Sequence, residues 1–159
     1  MKKYCALIFL TLAGLISCDT DDFCTENPVT PKLILRFYDK DDTDKLKQVE
    51  RFSVTADGRN DSLFINSSVD SIALPLNSEA QRTVFYFKKN EVDGTKSSNQ
   101  GATLTVDYVP ETEYVSRSCG FRVIYTNLTL QKTMWIDRIS VDNLASITNQ
   151  SNAHINIFH

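Results

Sequence analysis

Histidine is almost missing from this sequence. Two occur in 159 residues, His154 and His159, both within the last six positions. Acid–base and nucleophilic chemistry at neutral pH relies mainly on histidine, so few such sites can be built here. Glycine is scarce too, at five residues, and no Gly-x-Ser-x-Gly elbow or phosphate-cradling loop occurs. Zinc signatures and basic clusters are absent. Trp135 is the sole tryptophan, which leaves most aromatics to the core and argues against a broad carbohydrate platform. No apolar run reaches the roughly 20 residues of a bilayer span. The remainder is an ordinary globular composition, 42% hydrophobic and 23% charged, of a length that suits one domain.

The amino terminus is the most specific segment. Lys2 and Lys3 precede an apolar run from Ala6 to Ile16, too short to anchor and of the right length for a signal core. Leu15-Ile16-Ser17-Cys18 resembles the bacterial lipobox, where cleavage before the cysteine exposes a thiol for diacylglycerol. The expected division is a signal peptide over 1–17, a lipidated acidic tether over 18–31 and a β domain over 32–159. Losing Lys2 and Lys3 takes the 17 basic residues to 15 against 20 acidic ones, a net of about −5, so no nucleic-acid partner is expected. Asp19-Thr20-Asp21-Asp22-Phe23 resembles the acidic export signal of Bacteroidetes surface lipoproteins. It reads equally as a solvated tether. The expected location is the outer membrane, lipid-anchored, facing either the periplasm or the cell exterior.

Four cysteines are present. Cys5 leaves with the signal and Cys18 carries lipid, so Cys24 and Cys119 remain. An even remainder in an exported chain points to a disulfide. A zinc site would need further ligands, and a redox centre would usually need Cys-x-x-Cys spacing. Within a candidate strand over 113–126, Cys119 shares parity with Phe121, Val123 and Tyr125, which places it at the apolar interior or its rim.

Alternation of period two runs along most of the chain. Leu33, Leu35 and Phe37 share one face, as do Ile72, Leu74 and Leu76, then Leu104, Val106 and Tyr108, and finally Ile155 and Ile157. About nine strands are predicted, near 32–38, 49–56, 62–66, 70–76, 83–89, 102–109, 113–126, 133–141 and 153–158. Pro75 cannot donate to a ladder, so 70–76 is read as an edge strand. Asp93-Gly94 to Gly101, rich in Ser, Asn and Gln, separates the fifth strand from the sixth and is expected to be the flexible loop. No amphipathic helix longer than two turns is found after the signal, since Trp135, Ile136 and Val141 spoil the one candidate stripe. The expected fold is all-β, an antiparallel two-sheet sandwich of immunoglobulin-like or similar Greek-key type, with a partly closed barrel as the alternative.

Three segments resemble an uncharacterised family of Bacteroidetes lipoproteins defined only as a domain of unknown function: Pro31–Asp39, Tyr114–Phe121 and Ala153–His159. The resemblance implies a single small β domain behind a lipobox, and it carries no activity.

The chemistry in the chain is thin. His154 reads as a satisfied or solvated histidine on a terminal strand. Asp39, Asp41, Asp42 and Asp44 gather carboxylates of the kind calcium needs, yet without the glycine and distal glutamate of an EF-hand, and beside Lys40 and Lys45. A solvated hairpin tip is the default there, so no metal is assigned. Asp61-Ser62-Leu63 and Asp70-Ser71-Ile72 resemble Bacteroidetes O-glycosylation tripeptides, which makes Ser62 and Ser71 candidate acceptors. No cofactor and no catalytic residue is called for. The leading reading is a lipid-anchored envelope module with a non-catalytic binding or structural role toward a protein or glycan partner. A carboxylate-dependent hydrolase and a surface glycan-binding protein remain the alternatives.

Overall fold

A computed structural model describes residues 24, 30–90, 99–141 and 145–159. The signal region, Cys18, the acidic run and the Asp93-Gly94 turn lie outside them. The described residues form ten strands and no helix: β1 (Leu33–Tyr38), β2 (Val49–Ala56), β3 (Ser62–Val69), β4 (Ser71–Leu74), β5 (Arg82–Lys89), β6 (Gln100–Ser116), β7 (Gly120–Lys132), β8 (Arg138–Ser140), β9 (Ser146–Ile147) and β10 (Ile155–Phe158). Two compact units emerge. Thr30–Glu113 with Val123–His159 is the larger, and Tyr114–Arg122 with Cys24 represents the smaller.

The larger unit is a two-sheet β-sandwich. One sheet has the order β4-β1-β10-β8, and the other, β3-β2-β5-β6-β7-β9, curls as a half-barrel. Alternation supplies the interior. Leu33, Leu35 and Phe37 of β1 are fully buried, as are Phe85 of β5, Leu104 and Val106 of β6, and Ile155 and Ile157 of β10. Phe37 of one sheet meets Phe52 of the other edge-on, with ring centroids 5.4 Å apart. Two buried tyrosines close one end. The Tyr125 hydroxyl donates to the Leu76 carbonyl at 3.1 Å, and the Tyr108 hydroxyl to the Asn77 carbonyl at 2.8 Å. Burial, then the neighbouring Tyr108, pushes the Tyr125 hydroxyl pKa up to about 12.

As expected, the Pro75 segment is an edge: β4 stops one residue before the proline and borders only β1. Other details differ from the sequence reading. β1 and β10 pair in parallel, Leu35 opposite Ile155, within an otherwise antiparallel arrangement. β2 carries irregularities: Val49 faces Val69 and Phe52 faces Ser67, so three steps on β2 match two on β3. Arg51 takes up the extra residue at φ 46°. Both Val49 and Phe52 therefore point inward, although strict alternation would send them to opposite faces. The segment read as a strand over 133–141 is a strand only at Arg138–Ser140. Before it, Met134 and Trp135 form a turn, with Met134 at φ 61°.

The strand expected over 113–126 does not exist as one element, which corrects the placement of Cys119. β6 runs through Ser116, Arg117–Cys119 turn, and β7 starts at Gly120. The local chemistry explains the turn. Gly120 adopts φ 72°, which favours glycine, and the Ser116 hydroxyl accepts the Cys119 N–H at 3.0 Å. Phe121 is accordingly 66% exposed, whereas Tyr125, four residues on, is fully buried. Pro110 is tolerated inside β6 because the β5 ladder ends at Asp107, opposite Arg82.

Candidate functional site

One cleft, of about 640 Å³, runs past Asp57, Arg59, Asn77 and Arg82. Its two arginines are already paired. Arg59 grips Asp61 with two hydrogen bonds, at 3.0 and 2.6 Å, and Arg82 holds Asp107 at 2.6 Å. A groove of about 530 Å³ elsewhere in the larger unit carries more available chemistry. Its lining includes Lys40, Lys47, Lys89, Met134, Trp135 and His159, with Glu50 and Asp137 also present.

Each part is positioned by a local device. The end of β1 folds over a loop in which Asp39 N–H donates to the Lys45 carbonyl at 2.9 Å and Lys47 N–H to the Phe37 carbonyl at 3.1 Å. Asp39 caps this loop by accepting Asp41 N–H at 2.8 Å and pairing with Lys47 at 3.0 Å. These interactions, the Asp41 N–H first and Lys47 second, hold the Asp39 carboxyl below its usual range. Lys47 also donates to the His159 carbonyl at 3.1 Å, while His159 N–H donates to the Tyr38 carbonyl at 3.1 Å.

Trp135 is the floor. It stands edge-on to Phe52 at 6.2 Å and to His159 at 5.6 Å, and tilts against Phe87 at 6.4 Å. Its indole N–H is buried without a hydrogen-bond acceptor among the described residues, which costs on the order of 1–3 kcal/mol. The Lys89 ammonium lies 4.6 Å above the indole centroid, within cation–π range. Burial lowers its pKa first, and repulsion from Lys47 and Lys40 adds to this. No ion pair to Lys89 or Lys40 is formed among the described residues. The groove thus offers two ammonium groups without carboxylate partners beside an aromatic face, an arrangement that can receive an anion.

Apart from the Cys24–Cys119 pair, the site residues singled out from sequence do not converge on this groove or on one another. Asp39 is engaged with Lys47, and Asp41, Asp42 and Asp44 are exposed. No group of three or more metal-ligating side chains assembles among the described residues. His154 accepts the Ile34 N–H at Nδ1 (2.9 Å), and its Nε2 faces the Asn149 carbonyl at 3.0 Å. Those contacts define a neutral ring protonated at Nε2. Burial lowers its pKa, partly offset by the Asn149 contact. Ser62 and Ser71 open β3 and β4, half-buried and exposed respectively. Cys24 and Cys119 form a disulfide with Cα atoms 4.8 Å apart. Sequence reasoning missed the groove, because Trp135 looked like a core residue and its three lysines are far apart in the chain.

A family of unknown function, DUF6452, matches residues 51–159, a span that includes Lys89, Trp135 and His159 and leaves out Lys40 and Lys47. No curated protein and no solved structure matches the chain.

Proposed function

The chain belongs to the DUF6452 family of unknown function, and from that premise we propose that it is a lipid-anchored, non-catalytic module of the cell envelope whose groove at Trp135 binds an anionic group. The anchoring half of this reading rests on Lys2-Lys3, the short apolar run and Leu15-Ile16-Ser17-Cys18, with 1–17 as the signal and the acidic stretch after Cys18 as tether. Diacyl attachment at Cys18 gives stable membrane binding, unlike a single acyl chain. The location is the outer membrane, on either of its faces.

The binding half is carried by one observation: the Lys89 ammonium over Trp135, close to Lys40 and Lys47 and without an ion pair. A carboxylate, sulfate or phosphate there would gain charge-assisted hydrogen bonds from a lysine that is already partly desolvated. A non-catalytic role is supported by the histidines, the only side chains whose ordinary pKa lies near neutrality. Both are half-buried, and each has a ring nitrogen committed to the main chain.

Trp135 is the only tryptophan, so intrinsic fluorescence reports directly on the groove. Titration at fixed ionic strength with inorganic phosphate, inorganic sulfate and a uronic-acid oligosaccharide is expected to give a saturable change. An uncharged oligosaccharide of equal length is expected to give none. The relative strength of the three anions separates a free oxyanion from an acidic glycan as source. Lys89→Gln should weaken the response about tenfold, near 1.4 kcal/mol. An unchanged affinity in Lys89→Gln, or an equal response to the neutral sugar, would defeat the binding reading. Intact mass of the membrane-extracted protein tests the anchor separately: an unmodified Cys18 would remove it.

A further inference from the structure

In the smaller unit, two large rings stand outside any core. Tyr114 and Phe121 flank the β6–β7 turn, 59% and 66% exposed, and meet edge-on with centroids 5.3 Å apart. Neither belongs to the buried cluster of the described residues. Arg117, in the turn between them, is exposed as well. An apolar pair presented beside a cation is costly to keep in water and suits an interface between water and lipid, where aromatic rings and basic side chains both find partners.

The disulfide says which interface the turn can reach. Along the chain, Cys119 is 101 residues from Cys18. Through the Cys24–Cys119 bridge, it is six residues plus one disulfide away. Six fully extended residues span at most about 20–22 Å. A lipid on Cys18 therefore keeps Cys24, and the turn bonded to it, within about that distance of the bilayer surface. Without the bridge, the chain imposes no such limit.

We propose that Tyr114 and Phe121 seat the hairpin tip on the lipid surface, with Arg117 toward anionic headgroups. This rests on the lipidation reading above. The anchor supplies attachment and the disulfide supplies proximity. The ring pair adds a second, weaker contact with the same membrane. Arg117 adds attraction that salt screens.

The test uses full-length protein processed in a lipidating bacterial host and reconstituted in phosphatidylethanolamine–phosphatidylglycerol vesicles, with and without acyl-brominated lipid. Phe121→Trp places a reporter in the pair, and Tyr114→Trp serves as an independent second position. Bromolipid is expected to quench either variant beyond the background that Trp135 gives in wild-type protein. Replacing both Cys24 and Cys119 with alanine in the Phe121→Trp variant should return quenching to that background. Absence of extra quenching in both tryptophan variants, in protein whose mass shows diacylglycerol on Cys18, overturns the tip contact and leaves lipidation standing. A Cys18 without lipid removes the premise and the proposal together, and the mass identifies that case. An emission shift with a neutral or acidic oligosaccharide, without bromolipid quenching, would assign the ring pair to glycan binding instead.

Discussion

Around Trp135, rings and charges are held by packing: Phe52, Phe87 and His159 surround the indole, and Lys89 covers it. Around Cys119, two rings meet each other edge-on, and their position depends on a turn and one covalent bond. The groove inherits its geometry from the core, because Phe52 belongs to both. The hairpin tip inherits its geometry from chemistry outside the core. A site of the first kind fails when the fold loosens, and one of the second kind fails when a bond is lost while the fold persists.

Phe52→Ala should break the first arrangement most severely. Removing a fully buried phenyl group shared by both sheets and the floor of the groove should cost about 3–5 kcal/mol. Urea denaturation measures the loss, and native-state Trp135 emission should shift with it. A midpoint within experimental error of wild type would refute the claim that the groove rides on the core.

Removing the Cys24–Cys119 bridge should have the next largest effect. The loop it closes spans 95 residues, and removal should cost about 2–4 kcal/mol, mainly through the unfolded chain. Replacing both cysteines with serine also avoids a free thiol. Native Trp135 emission should stay unchanged in that variant, in contrast to Phe52→Ala. A groove signal that moved as far as in Phe52→Ala would erase the distinction between the two regions.

The smallest effect concerns pH and sharpens the contrast, because the histidines belong to the packed region alone. Burial lowers the His154 pKa in the fold, and the same is true of His159. Above the unfolded value, near 6.5, both states are neutral and the contribution to stability is fully present. As pH falls below that value the unfolded chain takes up protons first, so stability declines toward the lowered folded pKa. Protonated His154 could no longer accept the Ile34 N–H. Denaturation midpoints compared at pH 7.5 and 5.5 should drop, and His154→Gln should flatten the drop. An equally steep decline in that variant would remove His154 from the account.

Much of the sandwich was legible because alternation is a local property. Leu33, Leu35 and Phe37 announce a one-faced strand, and Pro75 announces an edge, without knowledge of their neighbours. The Arg51 irregularity was not legible: Val49 and Phe52 both face inward only because an extra residue is absorbed opposite β3. The turn at Cys119 was hidden by the alternation that follows it, although Ser116, Ser118 and Gly120 carry ordinary turn chemistry. The cysteine pair was legible by counting. The groove was not, since Lys40, Lys47, Lys89, Trp135 and His159 meet through tertiary placement that no spacing in the chain reveals.

The parallel pairing of β1 with β10 sets an order in time. Leu35 faces Ile155 across 120 residues of chain, so β1 is made well before the neighbour it waits for. Until then β1 has only β4 beside it, and its other side is a row of unpaired amides in a strongly apolar strand. Contacts this distant in sequence slow folding and prolong the period in which such an edge can pair with the wrong chain. A nascent chain cut short before Ile155 would keep that edge open for good, which makes β10 the guardian of solubility for a strand made long before it.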